Sequence, residues 1–301
     1  MVSPYLVLLV LLPTIYASID VDIIASSGDS SKVYAGGDQR APISDAERSI
    51  FNLTDENLKK SIRKNFGEKP EDVYLRAPTP WNDLYSTYNW PEVKTVHKPL
   101  SHRIVSINST TKVLAGISYT NTEKENKTYN VNVNETLNGT LKLQWESIDN
   151  FRNYSIDYNI FVDSPQSDKK WITHNVTCCQ TYEKNQKVTI SSVSDINLTL
   201  LPGQTTSTEI LVDEYTLKIE LSYVTTLLGT AIANYNKKHK GHHFWSFGIQ
   251  SLLDSGLLPK ARISNETLEY VYYINPSYII KENISGTVKT HTKSLNIKYS
   301  G

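Results

Sequence analysis

The chain has 301 residues and carries 31 Lys and Arg against 31 Asp and Glu, so its formal charge is zero. That balance argues against a nucleic-acid partner and against a purely electrostatic hold on anionic lipid. Its two cysteines are neighbours, so no long-range intrachain staple is available, and burial and strand pairing must hold the fold.

In chain order, Tyr5 to Ile15 is a hydrophobic run followed by small residues. It is too short to cross a bilayer comfortably and reads as a secretory signal cleaved near Ala17 or Ser18. Domain bounds follow from composition: a signal at 1–18, a helical and aromatic region at 19–100, a β body at 101–235, and a C-terminal helix with short strands at 236–301. Ser26 to Gln39, rich in Ser, Gly and Asp, is expected to be loose. A helix follows, with Thr54 as N-cap, Leu58, Ile62 and Phe66 on one face, and Gly67 as its stop. Residues 70–99 hold five prolines and the aromatic cluster Trp81, Tyr85, Tyr88 and Trp90, an irregular segment pinned by large rings.

From His102 onward Thr, Val, Ile and Tyr dominate, and strands are expected at Ile104–Ile107, Val113–Tyr119, Trp171–Val176, Lys187–Leu200 and Glu209–Tyr223. Leu201 to Gln204 is a turn, Phe244 to Ser255 a second helix, and Leu268–Ile274, Tyr278–Ile280 and Val288–Ile297 close the chain. The fold class is therefore mainly β: an elongated antiparallel body with two short helices.

The most informative stretch alternates from Tyr129 to Trp145, with Leu137, Leu141, Leu143 and Trp145 among the apolar positions and Asn, Thr, Lys and Gln between them. After Ser147–Arg152 the pattern resumes as Ile156, Tyr158, Ile160 and Val162. The two read as a hairpin with Ile148 and Phe151 at its tip. A half-buried strand lays such a face on a core. A membrane barrel turns it to lipid, given roughly 9–11 residues per strand and full closure. On the barrel reading, Leu141→Arg costs roughly 2–4 kcal/mol at the bilayer midplane and abolishes lysis, whereas Thr140→Arg faces the lumen and leaves a conducting pore.

Sequons stand at Asn52, Asn108, Asn126, Asn134, Asn138, Asn153, Asn175, Asn197, Asn265 and Asn283, as in an exported glycoprotein. A glycan on Asn153, beside the turn, would have to cross the bilayer. Either that site is unoccupied, or the second hairpin inserts, with strands near Asn153–Val162 and Trp171–Cys179 and a polar tip at Asp163–Lys170, or no pore forms. Adjacent Cα atoms sit about 3.8 Å apart, short of the usual ~4.4–6.8 Å of a disulfide, so Cys178 and Cys179 are expected not to bond to each other. The cluster His239, His242, His243 has no carboxylate neighbour and poor geometry for a shared metal, so no metal or other cofactor is expected. Catalytic signatures are absent, and no enzyme activity is expected.

Four stretches carry a resemblance: Trp81 to Pro91 (WNDLYSTYNWP), Val113 to Asn121 (VLAGISYTN), Leu201 to Gln204 (LPGQ) and Lys240 to Trp245 (KGHHFW). Together they resemble the spherulin-like branch of the aerolysin superfamily. The resemblance implies a secreted protein that meets a glycan or protein receptor on a target cell membrane, assembles as a homo-oligomer and inserts one amphipathic hairpin per subunit. Members of that superfamily also serve as storage, eggshell or encystment proteins, so a non-lytic glycoprotein or a glycan-binding module stands as the alternative.

Overall fold

The computed structural model describes residues 18–146, 154–284 and 287–300, the side chains of residues 283, 284 and 287 excepted. Ala17, the expected tip residues Ile148 and Phe151, and the sequon Asn153 lie outside the described residues, and nothing of the Asn283 side chain is described. The chain opens with β1 (Ile19–Ala25), β2 (Lys32–Gly37) and β3 (Gln39–Pro42), then α1 (Asp45–Ile50), α2 (Asp55–Phe66), β4 (Asp72–Tyr74) and α3 (Leu84–Tyr88). The middle holds β5 (Lys94–Thr120), β6 (Lys127–Val131), β7 (Asn134–Glu146), β8 (Ser155–Val162), β9 (Trp171–Thr177), β10 (Tyr182–Ser192), β11 (Ile196–Leu200) and β12 (Thr205–Leu228). It ends with β13 (Thr230–His239), β14 (His242–Gly248), α4 (Ile249–Gly256), β15 (Ala261–Ile284) and β16 (Thr287–Ser300).

β5 alone has 27 residues, about 90 Å at ~3.3 Å per residue, so the body is long. A seven-stranded sheet runs β16-β10-β7-β15-β12-β5-β3, and a four-stranded sheet runs β2-β1-β8-β9. The inner faces of both share one core that includes Ile19, Val21, Tyr158, Ile160, Leu143, Ile219 and Tyr270. A smaller head core gathers Phe51, Leu58 and Ile62 of the α1–α2 region with Ile249, Leu252 and Leu253 of α4.

The middle of the chain pairs in a nested way. β5 pairs with β12, β6 with β11, β7 with β10 and β8 with β9, all antiparallel. Residues 94–228 are thus one hairpin folded on itself, with an outbound leg, a return leg and an apex at 163–170. The resemblance-bearing stretches sit at structured joints. The buried Asn121 side chain donates to the carbonyls of Glu125 and Leu200 at 2.8 and 2.9 Å. The Asn121 backbone carbonyl accepts from Gly203 N–H at 2.8 Å, in the turn of Leu201 to Gln204.

Several expectations are met in detail. The Thr54 side chain accepts from Asn57 N–H, and Gly67 ends α2 with φ 95°, a left-handed conformation that glycine adopts at low cost. Others need correction. Ser26–Gln39 is not loose: β2 pairs with β1 from Ile19↔Gly37 to Ile24↔Lys32. Phe244–Gly248 is strand rather than helix: Trp245 and Phe247 alternate onto one core, Phe244 faces another, and the segment pairs with β13 (Ala231↔Phe247, Ala233↔Trp245). The helix begins only at Ile249, and α1 and α3 raise the count among described residues to four.

The expected hairpin of residues 129–162 does not form. β6 turns away to β11, β7 lies between β10 and β15, and β8 joins the other sheet. Long-range partners override the sequence proximity because each face finds a matching apolar surface. Leu141 and Leu143 are buried in the core, opposite Tyr270 and Leu268 of β15. Gly139 interrupts that face where the Val271 carbonyl approaches, 2.7 Å from where a Cβ would stand. An Arg at Leu141 would therefore break the water-soluble fold, so its effect on lysis no longer reports on lipid contact.

Cys178 and Cys179 are bonded to each other. In an extended strand neighbouring side chains point to opposite faces, so the ring requires a turn. Cys179 supplies it with φ 71°, just after β9 ends at Thr177. Both residues are buried in the main core. The peptide carrying them should be two hydrogens lighter than its reduced mass and should resist alkylation until a reductant is added. Ready alkylation of the folded, non-reduced protein would contradict the bond.

Candidate membrane-inserting hairpin

β8 and β9 pair from Ser155↔Thr177 to Phe161↔Trp171. The N–H of Cys178 donates to the Tyr154 carbonyl at 2.6 Å, which extends the ladder by a step. At the other end the Ser167 hydroxyl donates to the carbonyls of Val162 and Ser164 at 2.9 and 3.0 Å. Alternation sorts the side chains into two faces. Ile156, Tyr158, Ile160 and Val162 of β8 are buried, with Val176, His174 and Ile172 of β9 opposite the first three. The outer face carries Ser155, Asp157 and Asn159 against Thr177, Asn175 and Thr173. It is laced by hydrogen bonds from Asn175 to Asp157 at 2.6 Å and from Thr173 to Asn159 at 2.7 Å. Phe161 and Trp171 close the outer face near the apex, ring centroids 5.3 Å apart.

Two buried carboxylates anchor the inner face. The Tyr158 hydroxyl donates to Glu266 on β15 at 2.6 Å, and Tyr223 on β12 donates to the other oxygen at 2.9 Å. The Tyr154 hydroxyl donates to Glu47 at 2.9 Å, and Glu47 also accepts from the backbone and hydroxyl of Ser44 at the start of α1. Between these anchors lies buried His97. Its ring stacks on Tyr154 at 4.3 Å and on Tyr223 at 5.3 Å, with Nδ1 2.8 Å from the Thr225 hydroxyl. Burial pushes the Glu266 carboxyl up to about 7, against the two tyrosine hydrogen bonds that favour its ionised form. Burial pulls His97 down to about 4, with Glu47 opposing the shift.

The outer edge of β8 is occupied by β1, in parallel from Ile19↔Ile156 to Ala25↔Val162. Asn159 donates to Asp22 at 2.9 Å, and the Asp163 N–H donates to the Ala25 carbonyl at 2.8 Å. Gln39 brackets the first residue of β8, accepting from Ser155 N–H at 3.1 Å and donating to its carbonyl at 2.5 Å. β1 itself is anchored, because Ile19, Val21, Ile23 and Ala25 are fully buried and Tyr272 donates to the Ser26 carbonyl at 2.6 Å.

The eight residues expected to face lipid are divided by this arrangement. Ile156, Tyr158, Ile160 and Val162 form one face of β8, whereas Leu137, Leu141, Leu143 and Trp145 lie on β7 in the other sheet. The anchors Glu47, His97, Tyr154, Tyr223 and Glu266 were not singled out by sequence, since they are far apart in the chain and no local pattern marks them. The alternation of β1 is readable at Ile19, Val21 and Ile23, but assigning residues 19–100 to a helical and aromatic region leaves it out. The described sequons Asn52, Asn108, Asn126, Asn134, Asn138, Asn175, Asn197 and Asn265 are all exposed. The histidines of the 239–243 segment do not cap α4. His243 Nδ1 lies 2.8 Å from the Tyr235 carbonyl, and His239 pairs with Glu68, meets Phe66 edge-on and stacks on Tyr235. No group of three or more potential metal ligands occurs among the described residues.

No known family profile matches the chain. Over 284 residues it is 27% identical to U-megalopygitoxin(8)-Mo12 of Megalopyge opercularis, covering 92% of this chain and 97% of that protein. Over 282 residues it is 26% identical to U-megalopygitoxin(8)-Mc8 of Megalopyge crispata, with the same coverages. Among solved structures, parasporin-2, a Bacillus thuringiensis toxin that recognizes cancer cells, superposes with a TM-score of 0.59 at 14% identity, over 85% of this chain and 99% of that one. The chain has the parasporin-2 fold. That fold is mainly β, as the sequence implied.

The two buried titrating groups give stability opposite pH dependences. Glu266 holds its proton more tightly when folded, so its contribution falls as pH rises from about 4.5 to about 7. His97 is held neutral, so its contribution is lost as pH falls from about 6.5 to about 4. Glu266→Gln should remove the first and leave the second. Denaturant unfolding from pH 5 to 8 should show the variant gaining on the parent as pH rises, and losing stability more steeply than the parent below about pH 6.5. Superimposable pH profiles would contradict the buried ionisable carboxyl.

Proposed function

We propose that this chain is a secreted pore-forming toxin whose β8·β9 hairpin leaves the body, joins those of identical subunits in a closed barrel and crosses the target membrane. One observation carries the reading: β8 and β9 share one face that is apolar but for His174 and is buried in the core, and one face of Ser, Asp, Asn and Thr that runs up to the Phe161–Trp171 pair. Tyr154–Val162 and residues 170–178 each supply nine positions, the lower end of what a membrane strand needs. The megalopygitoxin relatives and the parasporin-2 fold support the toxin reading. The narrower spherulin-like likeness rests on the four stretches that suggested it.

In this reading the apolar face meets lipid and the Asp157, Asn159, Thr173 and Asn175 face lines the lumen. A magnitude constrains the route. Burial of Ile156, Tyr158, Ile160 and Val162 contributes about 6–12 kcal/mol together, so the hairpin cannot dwell in water. It exchanges one apolar environment for another at the membrane, and ring assembly supplies strand partners for both of its edges. Asn175 then sits on the translocated segment, and the reading requires it to be free of glycan.

β1 is the restraint that must yield first. A disulfide between Asp20→Cys and Asp157→Cys, which stand opposite each other in the β1·β8 ladder, should hold the hairpin in place. The locked protein should release little dye from liposomes, and a reductant should restore release to the level of the parent treated with the same reductant. Each single-cysteine variant should behave like the parent. Full release by the locked protein rules out this hairpin. Failure of the parent to permeabilise any liposome or cell favours the non-lytic matrix or storage role.

A further inference from the structure

Two of the stretches singled out by sequence, far apart in the chain, converge on one open cleft of about 600 Å³ in the head. Tyr88 and Trp90 come from the end of α3, and Lys238, His242, Phe244 and Trp245 from the β13–β14 hairpin. The placement follows from local structure. Asp83 caps α3 by accepting from the N–H groups of Tyr85 and Ser86, and Asn89 ends it in the left-handed region with φ 54°. That reversal stacks the Tyr88 and Trp90 rings 4.6 Å apart. Across the cleft the Trp245 indole donates to the His239 carbonyl at 3.0 Å and packs edge-on against Phe66, centroids 4.8 Å apart. Phe244 is packed on Trp81, centroids 5.0 Å apart.

These rings are fixed before any ligand arrives, and several remain accessible. Tyr88 is 48% exposed and neighbouring Trp81 41%. Exposed flat aromatics in a preorganised cleft bind with little loss of side-chain freedom. The polar part of the cleft is one-sided. Lys238, His242 and His243 belong to its lining, and no Asp or Glu does. That charge asymmetry disfavours a cationic ligand and favours an anionic one.

We propose that this cleft binds a glycan with an acidic sugar, one ring stacking on the exposed face of Tyr88, which Trp90 backs, and the carboxylate lying toward Lys238. The inference deepens the pore-forming reading by naming the chemistry of its receptor. It is tested without a membrane, so failure of either leaves the other standing. The full-length protein is titrated with 3′-sialyllactose and with lactose, read by tryptophan fluorescence and calorimetry. Sialyllactose should bind saturably, and lactose about fivefold more weakly, the size expected of one exposed charge contact. Tyr88→Ala should weaken both about three- to tenfold through the lost stacking, with an unchanged thermal melt. Lys238→Glu should reduce sialyllactose to the level of lactose or below while sparing lactose. Equal affinity for the two sugars would refute the acidic specificity. No saturable binding of either, or binding untouched by Tyr88→Ala, would refute the site.

Discussion

The antiparallel pairing of the chain with itself, from Lys94↔Leu228 inward to Phe161↔Trp171, is the constraint on which the rest of the structure depends. Each outbound strand meets its own return strand, so the soluble fold already contains the pairing scheme of a single long stem. Only the path is bent. The bend falls between β7·β10, whose pairing ends at Leu143↔Tyr182, and β8·β9, whose ladder begins where Cys178 N–H donates to the Tyr154 carbonyl. The bonded Cys178–Cys179 turn stands at that bend, where a continuous strand would place the two side chains on opposite faces. Straightening would leave the strand partners within each hairpin level unchanged. It would break the contacts between levels and the extra pairings to β1.

Those contacts combine a strong non-directional term with a few exacting polar ones. Apolar burial holds the β8·β9 face and is indifferent to whether protein or lipid supplies the partner. The hydrogen bonds of Tyr158 to Glu266 and of Tyr154 to Glu47 have no lipid counterpart and specify the closed position. Buried carboxylates cost desolvation that their hydrogen bonds only partly offset, and the upward displacement of Glu266 to about 7 is that cost made visible. A body stabilised entirely by aliphatic packing would hold the hairpin without fixing where it sits. Polar anchors fix the site, and their desolvation cost offsets part of the apolar burial that holds the hairpin there.

Much of this was legible in the residues themselves. The alternation of Leu141 to Trp145 and of Ile156 to Val162 gave two amphipathic strands, and Thr54 to Gly67 gave α2 with both of its ends. Pairing was not legible. Proximity favoured joining the two strands through their short connection, whereas each found a better apolar partner more than thirty residues away or in another sheet. The β9 face was faint because His174 stands between Ile172 and Val176 on it. The cysteine expectation rested on the short Cα spacing, which is indeed 3.8 Å, yet the bond forms across a turn in which Cys179 adopts φ 71°. The resemblance to aerolysin-like proteins supplied the architecture that periodicity alone left open, and the secondary alternative of a hairpin apexed at 163–170 matches the pairing found.

The central claim is that residues 154–178 exchange the body's core for lipid as one hairpin. Electron cryomicroscopy of the protein assembled on lipid nanodiscs tests it most directly. A ring is expected in which that segment forms the membrane-crossing barrel, with Ile156, Tyr158, Ile160, Ile172, His174 and Val176 outward and Asp157, Asn159, Thr173 and Asn175 lining the lumen. A membrane-bound ring in which β8 still lies beside β1, with another segment crossing the bilayer, would contradict it.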